Sequence, residues 1–112
     1  MKVGQMNISE FLDSLISGTK EGKCKWTDNN DSYRLVLNSG SVLLRIIYDP
    51  LSDYTRYEIK LFDNIGCFVS YVAESFDQLY DLMDTLFKAI KEMEQIEIEK
   101  KIFCLYSDIN KK

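Results

Sequence analysis

Apolar residues recur along this chain in two different periods. In NISEFLDSLISG, Ile8, Phe11, Leu12, Leu15 and Ile16 stand at i, i+3, i+4, i+7 and i+8, which is one face of a helix. Asn7 followed by Glu10 has the form of a capping box, and Gly18 suits the position just past a helix end. The spacing predicts a short helix from Ile8 to Ser17. From Cys24 onward the period becomes two. CKWTD is a candidate first strand, followed by YRLVL (Tyr33–Leu37), SVLLRIIY (Ser41–Tyr48), YTRYEIKLF (Tyr54–Phe62) and CFVSYVA (Cys67–Ala73). The breaks at Asn38–Gly40 and Asp63–Gly66 each carry a glycine for a tight connection, so the strands form an antiparallel meander of four or five.

The helical period returns in ESFDQLYDLMDTLFKAIKEME. Phe76, Leu79, Tyr80, Met83, Leu86, Phe87 and Ile90 make a wide apolar stripe, with Ser75 and Gln78 in capping-box register. Asp77, Asp81 and Asp84 lie early and Lys88 and Lys91 late, as the helix dipole favours. In the tail, Ile98, Ile102, Leu105 and Ile109 step by four, three and four, which is helical. The stripe changes phase near Glu94–Glu97, and a bend is expected there. KIFCLY read alone has the look of a strand. The whole reads as one α+β domain over residues 1–112: a short N-terminal helix, the meander, a long amphipathic helix on one sheet face, and a C-terminal helical extension. The core spans about 7–93 and the extension about 94–112.

Alternation sorts the strand residues onto two faces. Tyr33, Leu35, Leu37, Val42, Leu44, Ile46, Tyr57, Ile59, Leu61, Val69 and Tyr71 turn towards the helices. The opposite face carries Arg34, Arg45, Arg56, Glu58, Lys60 and Ser70, as a solvated face should. Val36, Leu43, Ile47, Phe68 and Val72 fall there as well, and such a mixed surface suggests a cover. Three covers are open: the segment Ile98–Ile109 folded back, a second copy of the chain, or a different protein.

Composition and charge narrow the function. The chain of 112 residues carries a net charge of −4 without a concentrated basic run, which argues against a nucleic-acid partner. No apolar stretch approaches the roughly 20 residues of a membrane helix and no export signal is apparent. Three cysteines, Cys24, Cys67 and Cys104, are odd in number and far apart, so a reducing, cytoplasmic setting is expected. Histidine is absent, which removes Ser-His and Cys-His catalysis and histidine metal sites.

GTKEGKCKW (Gly18–Trp26) has the composition of a phosphate loop but not its spacing. Three residues separate Gly18 from Gly22 where a Walker A loop has four, and Cys24 stands where a hydroxyl should. DNNDS (Asp28–Ser32) alternates oxygen ligands but lacks the glycine and glutamate of a calcium loop. Asp49, Asp53 and Asp63 lie at strand ends, where aspartate is also an ordinary turn residue. No enzyme, cofactor or metal is expected.

Thr19–Trp26, with the preceding FLDSLI and the later FDNIGCFVSYV and LYDLMDTL, resembles a group of small uncharacterised bacterial α+β proteins. They share a short helix, a Thr-x-x-Gly-x-x-x-Trp turn into an antiparallel meander, an Asp-x-x-Gly turn between two strands and a Leu-Tyr-containing helix. The resemblance runs from Phe11 to Ile90; it implies this fold in a bacterial, phage or mobile-element setting, and no catalytic residues. Two function classes follow. One is a non-enzymatic protein-protein interaction module, of inhibitor or immunity type, acting through the sheet face or the C-terminal segment on itself as a homodimer or on another protein. The alternative is a binder of a small anionic ligand such as a nucleotide, in an aromatic-lined pocket or dimer seam with Arg34, Arg45, Arg56 and the Lys20–Lys25 cluster as anion contacts.

Overall fold

The computed structural model describes residues 6–30, 32–51 and 54–111. Seven elements follow in order: α1 (Ile8–Lys20), β1 (Trp26–Asp28), β2 (Ser32–Leu37), β3 (Gly40–Asp49), β4 (Tyr54–Phe62), β5 (Cys67–Ala73) and α2 (Gln78–Ile109). The strands form one antiparallel sheet in the order β1-β2-β3-β4-β5, each paired with its neighbours in sequence. Both helices cover the same face, so the α+β architecture is the expected one.

The register places whole rows of apolar side chains beneath the helices. Leu35 lies opposite Val42 and Val42 opposite Leu61; Tyr33 opposite Leu44 and Leu44 opposite Ile59; Ile46 opposite Tyr57 and Tyr57 opposite Ala73. They close over Leu12, Leu15 and Ile16 from α1 and Met83, Leu86 and Ile90 from α2, forming a single core. Leu37, expected to point inward, is exposed near the free end of the β2–β3 hairpin.

The helix ends differ from the sequence expectation in two places. Asn7 caps α1, its Oδ1 accepting the Glu10 N–H at 2.8 Å. Gly18, however, lies within α1, and the helix runs on to Lys20. Gly22, at φ 78°, takes the left-handed position instead. Its N–H donates to the Thr19 carbonyl at 3.1 Å, and the Lys23 N–H donates to the Gly18 carbonyl at 2.8 Å, the paired bonds of a Schellman stop. At α2 the cap residue is Asp77 rather than Ser75, and no side chain there bonds the first turn. The Asp77 Oδ2 faces the other way and accepts the Glu74 N–H at 2.9 Å, so it fastens the β5–α2 connection.

The third difference is the largest. No bend interrupts α2 near Glu94–Glu97; it runs unbroken for 32 residues, about 48 Å at 1.5 Å per residue. Its first half packs on the sheet and its second half leaves the body. A compact chain of this length would have a radius of gyration of about 13 Å; here it is 16.8 Å.

Candidate interaction surfaces

The turn from α1 into β1 is built around a buried hydroxyl. Thr19 Oγ1 donates to the Leu15 carbonyl at 2.6 Å and accepts the Trp26 Nε1–H at 2.9 Å, which ties the indole to the helix end. Cys24 packs against Gly18, and burial pushes its thiol above the ordinary range, away from reactive thiolate character. Trp26, Cys24 and Lys25 form one wall of a groove of about 230 Å³ whose other wall is α2 at Glu94, Glu97 and Lys101. That is smaller than the roughly 300–1,000 Å³ of drug-sized ligand sites. The Lys20–Lys25 region thus serves a helix stop and a turn, and Lys23 pairs with Glu21 at 2.9 Å.

The outer face of the sheet holds Arg34, Arg45, Arg56, Val36, Leu43, Ile47 and Val72, as alternation predicts. Phe68 does not follow it: it stands at the β4–β5 register shift and lines a groove with Met6, Ile8 and Phe11 beside α1. Arg45 pairs with Glu58 directly opposite it, and Ser70 Oγ donates to the same carboxylate at 3.4 Å. Arg34 Nη1 donates to Ser41 Oγ at 3.0 Å, with its guanidinium 5.2 Å from the Phe62 ring centre. Arg56 approaches Glu74 at 3.9 Å. The three arginines therefore have separate partners and do not converge. Val36, Phe68 and Val72 are 72, 60 and 49% exposed, while Leu43 and Ile47 are half-buried. Leu43 lies opposite Arg34 and Lys60, Ile47 opposite Arg56, Val72 opposite Glu58 and Val36 opposite Ser41, so polar rungs separate these apolar residues.

Four aromatic residues cluster on the other side of the sheet. Tyr33 meets Phe87 edge-on at 5.6 Å between centroids; Tyr57 lies 5.1 Å from Tyr80 and 5.6 Å from Phe87. Lys91 Nζ stands 5.6 Å from the Tyr33 and Phe87 ring centres. The sheet thus divides the aromatic cluster from Arg34, Arg45 and Arg56. Tyr57 O–H donates to Asp84 Oδ1 at 2.6 Å, and Lys88 reaches Asp84 at 2.9 Å. Burial, reinforced by the Asp84 bond and charge, pushes the Tyr57 phenol far above its usual range. Burial alone would raise Asp84, but the bonds from Tyr57 and Lys88 outweigh it and hold the carboxyl low.

An acid whose pKa is raised by folding contributes stability below its unfolded pKa and loses it as pH rises above that value. The Tyr57 contribution is accordingly present below about pH 10 and lost above it. Tyr57→Phe should cost about 1 kcal/mol at pH 7. Urea unfolding should show the wild-type advantage shrinking between about pH 10 and 12. An advantage that stays constant over that window would show that the Asp84 bond does not stabilise the fold.

The distal half of α2 is the most exposed apolar surface. Ile96, Ile98, Ile102, Phe103, Leu105, Tyr106 and Ile109 are all exposed, Leu105 and Ile109 to 65 and 82%. The apolar stripe of the first half continues towards Glu97 and Lys101, whereas Ile98, Ile102, Leu105 and Ile109 lie about a quarter turn away. Ile98 borders the groove beside Trp26, whereas Ile102, Leu105 and Ile109 stand clear of the body, and none of the four folds back over the sheet. The periodicity identified these four residues but not Phe103 and Tyr106, whose ring centres lie 6.3 Å apart on the same segment.

The aspartates at strand ends do turn work. Asp63 Oδ1 accepts the Ile65 and Gly66 N–H groups at 2.8 and 3.1 Å, which lowers its pKa, and Asp49 Oδ1 accepts the Leu51 N–H at 3.0 Å. Asp53 lies outside the described residues, as does Asp31 of the DNNDS loop. Among the described residues no cluster of three or more metal-ligating side chains occurs, and no helix is long and apolar enough to cross a membrane. Comparison with protein-family models, with curated proteins and with solved structures finds no match. The bacterial setting implied by the Thr19–Trp26 resemblance therefore has no support from them.

Proposed function

We propose that the protein is a non-enzymatic interaction module that binds another polypeptide through the distal half of α2. The observation that carries this reading is the row of seven exposed apolar side chains from Ile96 to Ile109 on a helix already rooted in a folded body. A helix free in water at this length would be marginal; here its first half is held by the core, so binding need not order it. Apolar side chains concentrated on one segment mark interaction sites more often than isolated ones do. Small size and an acidic charge suit a role of inhibitor or immunity type. Photo-crosslinking in cells from benzoylphenylalanine placed at Phe103 tests the reading. A protein adduct is the expected result; no adduct of any kind would remove it.

The second reading, a site for a small anionic ligand, draws on the aromatic cluster around Tyr57 and on the groove beside Trp26, where Lys25 and Lys101 supply positive charge. A ligand there would raise the melting temperature by mass action. A nucleotide panel at millimolar concentration should then shift it, and Lys101→Ala should abolish the shift.

A further inference from the structure

We propose that the partner of distal α2 is a second copy of this chain, joined through an antiparallel two-helix seam with Ile98, Ile102, Leu105 and Ile109 as its core. This rests on the reading of that segment as an interaction surface. The steps of four, three and four are those of alternating d and a heptad positions, which keep one seam facing a partner helix. Ile98 and Leu105 take d, Ile102 and Ile109 take a. The flanking positions are then Glu99 and Tyr106 at e, and Glu94, Lys101 and Asp108 at g.

Those flanks choose the orientation. In a parallel pair, a g residue faces the e residue five places on in the partner. Glu94 is held in the body, where its Oε1 accepts the Tyr33 O–H at 3.3 Å, and Lys101 would face the uncharged Tyr106, so a parallel seam gains no opposite-charge pair. In an antiparallel pair, Ile98 packs opposite Ile109 and Ile102 opposite Leu105, and g residues face g residues. Lys101 then meets Asp108 of the other copy, twice by symmetry, and Glu99 meets Tyr106. Charge complementarity thus selects the antiparallel form.

Space selects it as well. Met93 and Glu94 are the last half-buried residues of α2, and the edge of the body reaches one turn further, to the groove that Ile98 and Lys101 share with Lys25 and Trp26. With Ile98 opposite Ile109, the partner helix ends at that edge, and the two bodies sit at opposite ends of the seam. A parallel pair would bring both bodies to the same end, beside Glu94. Each helix contributes about 22 Å of length from Gln95 to Ile109.

The test uses the full chain at a range of concentrations. Sedimentation equilibrium should show a dimer, and Leu105→Asp should make it monomeric while leaving the body folded, with the melting temperature of the dilute wild-type monomer, because Leu105 lies outside the core. Lys101→Glu and Asp108→Lys should each weaken the dimer roughly tenfold, and the double substitution should restore it. Orientation is read separately in a chain with Cys67→Ser and Cys104→Ser. Ile98→Cys chains mixed with Ile109→Cys chains should form a disulfide between unlike chains. Like chains should not crosslink, since the two Ile98 positions lie about 16 Å apart along the seam. A monomer at millimolar concentration, a dimer that survives Leu105→Asp, or crosslinking only between like chains would each overturn the proposal. A monomer that still gives a Phe103 adduct to a different protein in cells would overturn the second copy and leave the interaction reading standing.

Discussion

Leu44→Ala is expected to lower the unfolding free energy by about 3 kcal/mol, within the usual range of about 2–5 for a buried leucine. Leu44 is fully buried and sits in the central strand between Tyr33 on β2 and Ile59 on β4, beneath both helices. Ile59, Met83 and Leu86 in the same core are fully buried as well, so the substitution opens a cavity within close-packed surroundings. Phe68→Ala removes a larger side chain from the start of β5 beside α1, where Phe68 is mostly exposed, and should change stability by about 0.5 kcal/mol or less. Urea unfolding of the two variants checks the asymmetry. A comparable loss from Phe68→Ala would mean that the groove beside Ile8 and Phe11 is covered in the folded state.

Much of this architecture can be read in the chain because local signals and burial agree. The strand runs Tyr54–Phe62 and Cys67–Ala73 have the same limits in the structure as in the alternation. The capping positions were less legible because the competing signals differ by one hydrogen bond. Ser75 and Asp77 both suit a cap, and the choice fell to Asp77 once its carboxylate had the Glu74 N–H to bind. Gly18 and Gly22 both suit a helix stop, and burial of Thr19 against Trp26 carries the helix past the first.

The missing bend has a more instructive cause. A change of phase in an apolar stripe implies a bend only if both halves must cover the same body. The residues across the change, Lys91–Lys101, are mostly strong helix formers without glycine or proline, and Gln95 Nε2 donates to Glu99 Oε1 at 3.3 Å one turn on. Backbone and local pairs favour continuation, and beyond Ile98 the second stripe is exposed along its length. The arginines illustrate the opposite limit. Alternation placed Arg45 and Glu58 on one face, but only the register, set by the β3–β4 pairing, shows that they lie directly opposite and use each other's charge.

Gly40→Ala should be among the most damaging single-methyl changes in the chain, costing about 3 kcal/mol or more. Gly40 opens β3 immediately after the Asn38–Ser39 turn, against the end of β4 where the register shifts at Leu61 and Phe62. A methyl on its Cα would lie 1.8 Å from the Phe62 carbonyl oxygen and 2.8 Å from its carbonyl carbon. Both are backbone atoms, so the clash cannot be relieved by a rotamer, and the β2–β3 hairpin would have to separate from β4. Gly66 has nearly the same backbone angle, φ 157° against 158°, but open space around the equivalent methyl. Gly66→Ala therefore carries the conformational term alone, about 1 kcal/mol. Comparing the two by thermal unfolding separates steric contact from backbone preference. Equal losses would mean that φ decides both and that β4 moves aside without cost; a much larger loss at Gly40 places the constraint in the packing of Phe62 over the hairpin.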